Sequence, residues 1–161
     1  MKTTNYFLLF VFTITFLSCK NEVKKEMTET QDEVTVVQEK TIYEKLGGAE
    51  GISDAVDQIV AKHLENDDIK HYFLPLTENP EYFEQFKQHV KDFLGAGTGG
   101  GTEYNGRDMV GAHTGLNISE ADFLAAIDDI LFVLDANKVD RVSRNELLAT
   151  LYSMKAAVIK Q

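Results

Sequence analysis

The chain has 161 residues, of which 43% are hydrophobic and 26% are charged, and its formal net charge is −10. This length favours a single domain, and the composition is sufficient for a buried core. The negative charge argues against a nucleic-acid-binding protein, because phosphate contacts need clustered Lys and Arg. The only cysteine is Cys19, which excludes an intramolecular disulfide and any metal site made of cysteines alone.

The first 18 residues predict an export signal. After the basic Lys2, residues 6–17 are almost entirely apolar, and this run is too short to cross a bilayer as a helix, which takes roughly 20 residues. The following Phe16-Leu17-Ser18-Cys19 resembles a bacterial lipobox, in which the cysteine is lipidated and becomes the mature N-terminus, although an aliphatic residue is more usual where Phe16 stands. The alternative is an ordinary cleaved signal or a short membrane anchor. In each case we expect an exported protein at the cell envelope, on its periplasmic or surface side.

Residues 19–40 are interpreted as a flexible tether. They mix charges of both signs with Thr and Gln and contain no aromatic residue. Such a segment buries too little apolar surface to offset its chain entropy. We therefore predict a folded domain over residues 41–161.

This domain is predicted to be all-α. Four stretches repeat apolar residues at three- and four-residue spacing, as amphipathic helices do. Their stripes are Ile52, Val56, Ile59 and Val60, extended by His63; Tyr82, Phe86, His89, Val90 and Phe93; Phe123, Ile127, Ile130 and Leu134; and Leu147, Leu151, Met154 and Val158. Ser119 with Asp122 resembles a capping box, Pro80 fits a first helical turn, and Gly47-Gly48 is expected to end a very short first helix.

Residues 95–106 depart from this helical pattern. Five of their first seven residues are glycine, which costs too much backbone entropy for a helix. The spacing of a phosphate-binding P-loop is absent, so we interpret the segment as a flexible connection that wraps around another group.

The four histidines give weak signals when each is taken alone. No H-E-x-x-H motif is present, so a zinc site has little support. His63 and His71 lie among Lys and Glu near helix ends and are expected to be solvated. His89 lies in an apolar stripe, where a hydrogen-bonded histidine is commoner than a ligand, and His113 is interpreted as part of a short irregular segment.

Longer blocks of sequence are more informative. TIYEKLGG at 41–48, FKQHVKDF at 86–93, and YNGRDM at 104–109 followed by Ala112-His113 resemble the group I truncated haemoglobins in sequence, order and spacing. The last block is the most specific, because it combines a glycine-rich loop, GRDM and AH. The resemblance covers nearly all of residues 41–161.

The resemblance implies a two-over-two helical sandwich around a non-covalent haem b (iron protoporphyrin IX), with His113 as the proximal iron ligand. It places Phe73 on the porphyrin face and Phe93 deeper in the pocket. It further implies that Leu116, Ile118 and Phe123 line the proximal side. Tyr104 or Arg107 would meet a haem propionate, with a structural bond as the alternative for Arg107.

The distal side departs from the family pattern. Val60 stands where a tyrosine is common, and Phe86 and Val90 stand at the usual glutamine positions. A hydrogen bond to a charged group contributes about 1.5–3 kcal/mol. Without such a hydrogen bond, bound oxygen should dissociate roughly tenfold to a hundredfold faster. His89 is the only polar candidate left. In some relatives a histidine here becomes the sixth iron ligand, and we predict the same for His89; the competing state is five-coordinate ferrous iron with His89 pointing outward.

The resemblance thus predicts a haem protein that binds O₂, NO or CO at the cell envelope, attached to the membrane through its lipid anchor. The alternative is a haem redox enzyme or electron carrier, with NO dioxygenase or peroxidase-like activity and a redox partner. A third interpretation, a structural module without cofactor, conflicts with His113 in its full motif.

Overall fold

The computed structural model describes residues 39–161. The predicted signal over residues 1–18, Cys19 and the tether up to residue 38 lie outside the described residues. Those predictions therefore stay predictions.

Over residues 39–161 the secondary structure is helical and contains no strand, which confirms the predicted all-α class. The helices are α1 (Ile42–Lys45), α2 (Gly48–Glu65), α3 (Lys70–Phe73), α4 (Pro80–Gly97), α5 (Met109–His113), α6 (Glu120–Ala136), α7 (Arg141–Ser153) and α8 (Lys155–Val158), with a 3-10 turn at Leu74–Glu78 between α3 and α4. None of the helices in this range has the length and apolar character needed to cross a membrane.

Side-chain caps fix several helix starts where the sequence predicted them. The Ser119 hydroxyl accepts a hydrogen bond from the Asp122 amide, and the Asp122 carboxylate accepts one from the Ser119 amide. Pro80 is the first residue of α4, preceded by Asn79, whose side-chain oxygen accepts from the amide of Tyr82. Each cap pairs a backbone group that the first helical turn leaves without a partner.

The glycine-rich segment differs from its prediction at its beginning. α4 continues through Gly97, so the first three residues of 95–106 are helical after all. Gly95 is buried and faces Thr102, and a Cβ at this position would clash with the Thr102 side chain. Residues 98–100 lie against α1 and its N-cap: the amide of Tyr43 donates to the carbonyl of Thr98 at 3.0 Å, and Gly99 and Gly100 face Thr41 and Tyr43.

The fourth predicted stripe is divided between two helices. α7 ends at Ser153, and α8 begins at Lys155 after Met154. The stripe thus spans a break that its periodicity does not indicate, and Leu147 and Val158 are both buried as the stripe predicts. The helical periodicity survives the break because Met154 keeps a right-handed helical backbone conformation.

The long helices pack as two pairs, α2 with α4 and α6 with α7, and α2 also packs on α6. Within the described range, α4 has no extensive contact with α6 or α7. The apolar core is correspondingly divided into two clusters. The α2–α4 cluster contains buried Ile52, Val56 and Val60 with Tyr43, Leu46, Leu64, Phe83, Phe86, Val90 and Leu94 packed on it. The α5–α8 cluster contains buried Phe123, Ile127 and Val158 with Met109, Ile118, Ile130, Leu131, Leu148, Leu151 and Ile159.

Candidate functional site

His113 is the last residue of α5, so the interpretation of its surroundings as irregular was wrong. This short helix is capped by Asp108, whose carboxylate accepts a hydrogen bond from the amide of Gly111 at 2.6 Å. One turn before His113, the carbonyl of Met109 lies 2.7 Å from the imidazole Nδ1. A carbonyl can only accept, so Nδ1 carries the proton, and the lone pair of Nε2 is available to a metal.

The other predicted proximal residues separate into two environments. Ile118 and Phe123 belong to the α5–α8 cluster, where Phe123 is buried. Leu116 is 40% exposed and is not part of that cluster. The loop from 115 to 118 is tied down by main-chain bonds, because the amides of Gly115 and Asn117 donate to the carbonyl of Gln161 and the amide of Lys160 donates to that of Ile118.

The predicted distal residues come together on the α2–α4 side. Val60 is 4% exposed, and Phe86 and Val90 of α4 pack on its cluster. The ring of Phe73, at the end of α3, lies 6.2 Å from the ring of Phe86 between centroids. These four side chains carry no hydroxyl, amide or charge, so the wall that they form is apolar.

The remaining predicted residues of α4 meet Tyr104 in the loop after it. The Tyr104 ring lies edge-on to the rings of His89, at 6.5 Å, and Phe93, at 5.4 Å. His89 is half-buried, and its ring nitrogens make no hydrogen bond within residues 39–161.

Tyr104 and Arg107 both bond to the main chain of their own segment. The hydroxyl of Tyr104 donates to the carbonyl of Arg107 at 2.7 Å, and the Arg107 guanidinium donates to the carbonyl of Gly111 at 3.2 Å. The Arg107 bond is of the structural kind named as the alternative to a propionate contact, and a propionate contact of Tyr104 or Arg107 stays a prediction. The Arg107 bond links the loop to α5, the helix that carries His113.

His63 is buried, so its predicted exposure to solvent was wrong. The residue is 6% exposed, and Nδ1 of its ring lies 3.0 Å from the carboxylate of Asp129 in α6, which is equally buried. Burial lowers the pKa of His63 below its ordinary value, even though Asp129 acts in the opposite direction. His71, by contrast, is exposed as predicted.

Comparison with known proteins places this architecture in a family. Residues 41–160 match the family model described as "Bacterial-like globin". The chain belongs to this family. The match covers the whole helical domain, from the N-cap of α1 to the segment that follows α8.

Individual relatives agree with this assignment. This globin is 37% identical to a group 1 truncated hemoglobin of Tetrahymena thermophila over 94 residues, which are 58% of this chain and 74% of the relative. It is 35% identical to the group 1 truncated hemoglobin GlbN of Synechocystis sp. over 98 residues, 58% of this chain and 75% of the relative. The crystal structure of truncated hemoglobin from Tetrahymena pyriformis, Fe(III) form, superposes with a TM-score of 0.68 at 30% identity, covering 76% of this chain and 100% of that one. The two-over-two globin fold is therefore confirmed.

As a member of the globin family, the protein binds haem b and, at the haem, diatomic gases. The residues present fit this cofactor. Nε2 of His113 is free for iron, and haem needs an apolar pocket with few polar groups, such as the Phe73, Phe86 and Val90 side chains provide. Over residues 39–161, no group of three or more His, Cys, Asp or Glu side chains could bind a metal ion directly. A groove of about 270 Å³ between α1, α2 and α4 contains none of the predicted haem residues.

Proposed function

We propose that this globin holds haem through Nε2 of His113 and binds diatomic gas on the opposite side, against Val60, Phe86 and Val90. The observation that carries the proposal is the hydrogen bond from Nδ1 of His113 to the carbonyl of Met109. It selects the tautomer that leaves Nε2 unprotonated, and it fixes the plane of the ring. Histidine ligands in proteins are oriented by such a second bond.

Absorption spectra of the oxidised, reduced and CO-treated protein test this assignment. We expect a Soret band that shifts on reduction and again on addition of CO. His113→Gly should lose the spectrum of a histidine-ligated haem and regain it when imidazole is added. His71→Gly is the matched control, since its exposed ring lies outside the site. An unchanged spectrum in His113→Gly without imidazole would contradict the proximal role.

We further propose that the apolar distal side disfavours oxygen storage. Buried partial charge on a bound ligand is poorly stabilised where no donor can reach it. Val60 is buried among hydrocarbon side chains, and none of the residues at the usual donor positions carries a donor. CO develops little charge and should be held comparatively well, so the ratio of O₂ to CO affinity should be low.

His89 is proposed as an exchangeable sixth ligand. It lies in the apolar stripe of α4, next to Val90, and is the polar candidate that the sequence leaves for the distal side. No hydrogen bond within the described residues holds its ring beside Tyr104. The ring can therefore rotate towards the haem without losing a polar partner. A low-spin ferrous spectrum that His89→Leu converts to high-spin supports this ligation, and a high-spin spectrum in the unsubstituted protein contradicts it.

Electron transfer is the second candidate function, and the same unbonded His89 favours it. Two histidine ligands would leave no open position for gas, and the haem would then serve a redox partner. Rapid mixing of the reduced protein with CO distinguishes the two functions. A gas-binding globin should exchange His89 for CO in the unsubstituted protein and bind CO faster in His89→Leu. A carrier should keep both histidine ligands in the presence of CO and should be reduced more slowly in His89→Leu.

We also propose that the domain is anchored at the cell envelope through a lipidated Cys19 and the tether up to residue 40. The support is the sequence of residues 6–19 alone. In a bacterial host fed labelled palmitate, we expect the label in the full chain and its loss in Cys19→Ser. Ser18→Ala, which keeps a small residue before the cysteine, should retain the label. A full chain that is exported without label would contradict lipidation.

A further inference from the structure

A buried polar cluster joins α2 to α6 and has no assigned role in haem binding. Its members are His63, Asn66 and Asp129, and we call them the α2–α6 polar cluster. Nδ1 of His63 lies 3.0 Å from Oδ2 of Asp129, and the side-chain amide of Asn66 donates to the same oxygen at 2.9 Å. His63 and Asp129 are each 6% exposed.

This cluster holds His63 in one orientation. A buried carboxylate is tolerated only when hydrogen-bond donors surround it, so Asp129 resists any movement that would remove a donor. Its second donor is itself fixed, because the side-chain oxygen of Asn66 accepts from the amide of Asp68 at 3.1 Å. A carboxylate accepts and does not donate, so the His63 proton is on Nδ1 and the ring plane follows from this bond.

The face of the His63 ring stacks on Phe73. The two ring centroids are 4.9 Å apart and the planes differ by 23°. Phe73 in turn lies 6.2 Å from Phe86. Phe73 needs such a partner, because α3 is only four residues long, buries none of its own residues and has no side-chain cap.

We propose that His63 is a positioning residue for the haem pocket. Anchored by Asp129 on α6, its ring fixes the ring of Phe73 and through it Phe86, which form the wall against which the haem lies. The proposal rests on the proposed haem site, where Phe73 and Phe86 face the porphyrin. It adds a buried histidine that contacts neither haem nor gas.

A merely structural role would make the fold less stable without acting through Phe73. The distinguishing readouts are therefore the rate at which haem leaves the loaded protein, followed by its transfer to excess apomyoglobin, and the haem-methyl proton resonances of the CO complex. Both report on the pocket while the protein is folded. Urea unfolding of the same samples reports on general stability.

Two variants interrupt the proposed series of contacts, from Asp129 through His63 to Phe73, at different points. His63→Gln keeps a donor for Asp129 but loses the ring, and Asp129→Asn keeps the size of the side chain but removes the charge that anchors the ring. We expect haem release to accelerate by about fivefold in His63→Gln, which corresponds to about 1 kcal/mol of lost ring stacking. The haem-methyl resonances should move in both variants.

Tyr72→Phe is the matched control. It removes a hydrogen bond of 2.8 Å between the Tyr72 hydroxyl and Asp122, which also joins α3 to α6 but does not touch the Phe73 ring. We expect the rate of haem release from Tyr72→Phe to stay within about twofold of the rate of the unsubstituted protein. A residue that is only weakly coupled to the haem pocket changes this rate by no more than that. Equal acceleration in Tyr72→Phe and His63→Gln would overturn the proposal, because loosening of α3 in general would then explain both.

The decisive experiment is a double-mutant cycle with Phe73→Ala. If His63 acts through Phe73, His63→Gln should add less than about twofold to haem release in the Phe73→Ala background. An undiminished effect there would overturn the proposal, as would haem release and resonances unchanged in both cluster variants. Failure of the unsubstituted protein to bind haem would instead refute the proposed function.

Discussion

Nδ1 of His113 donates a hydrogen bond to the carbonyl oxygen of Met109, 2.7 Å away and four residues earlier in α5. This bond replaces the side-chain or water partner that ligand histidines need for orientation. Because the acceptor is a backbone atom, the direction of the imidazole depends on the conformation of α5 rather than on a second side chain. Residues that hold α5 should therefore affect the iron ligand.

The cap of α5 gives the first prediction. Asp108→Ala removes the acceptor for the Gly111 amide, and the loss of such a cap costs about 1 kcal/mol. We expect the haem-loaded protein to lose this amount of unfolding free energy in urea. In the His89→Leu background, which leaves ferrous iron five-coordinate, we expect its iron–histidine stretching band to broaden in resonance Raman spectra. Asp108→Asn keeps an acceptor oxygen and should stay close to the unsubstituted protein. A sharp, unshifted band in Asp108→Ala would show that the ring is held independently of the cap.

The apolar distal wall gives the second prediction. Val60→Tyr places a hydroxyl at a buried position of the α2–α4 cluster. A hydrogen bond to the partly charged oxygen should slow O₂ dissociation by about tenfold to a hundredfold, since it contributes about 1.5–3 kcal/mol. CO dissociation should change much less. Val60→Phe has the same ring without the hydroxyl, so a similar slowing there would attribute the effect to steric hindrance.

Much of the fold was predictable because its signals are local. The Ser119–Asp122 capping box and Pro80 are recognisable from neighbouring residues, and both start helices as predicted. The break at Met154 was not predictable, since apolar periodicity continues across it. The helical conformation of Gly95 was not predicted. Glycine is needed there because Thr102 approaches its Cα closely, and this is a tertiary contact.

The site was only partly predictable, for a similar reason. His113 was recognised through resemblance to a family, yet its bond to Met109 was missed because its segment was not recognised as a helix. The burial of His63 had a signal, since the residue extends the stripe of Ile59 and Val60. The identity of its partner had no such signal, because Asp128 and Asp129 are adjacent and chemically identical, although Asp128 is exposed and Asp129 is buried. The contact also joins residues that are 66 positions apart in the sequence.

The glycine-rich loop gives the third prediction. A Cβ at Gly100 would clash with the ring of Tyr43 and with the carbonyl of Gly95. We expect Gly100→Ala to lower the unfolding free energy by about 1–3 kcal/mol, the usual cost of overpacking, in urea titrations followed by circular dichroism. At Gly97 nothing lies within 4 Å of an added Cβ, so Gly97→Ala should be neutral or stabilising. Equal effects of the two substitutions would contradict this account of the loop.

The lowered pKa of His63 gives the last prediction, a dependence of stability on pH. The groups that face its ring are the carboxylate of Asp129, which raises the pKa, and the apolar ring of Phe73; burial outweighs the attraction of Asp129. The unfolded chain, with the ordinary value of 6.5, then binds a proton at a higher pH than the folded protein does. Stability should be full above this value and should decrease as the pH falls below it, because protonation favours the unfolded state.

Urea midpoints of the haem-loaded protein between pH 7.5 and 5 measure this decrease. The carboxyls of Asp57, Asp122 and Asp140 have pKa values that hydrogen-bond partners lower from the ordinary value of 3.8. The stability that they contribute is lost only as the pH falls through 3.8 and further, which lies below this window. We expect His63→Gln to make the pH dependence less steep, and His71→Gln, at an exposed position, to preserve it. The same slope in His63→Gln as in the unsubstituted protein would assign the titration to another group. A rise in stability towards acid pH that His63→Gln abolishes would mean that Asp129, rather than burial, determines the pKa of His63.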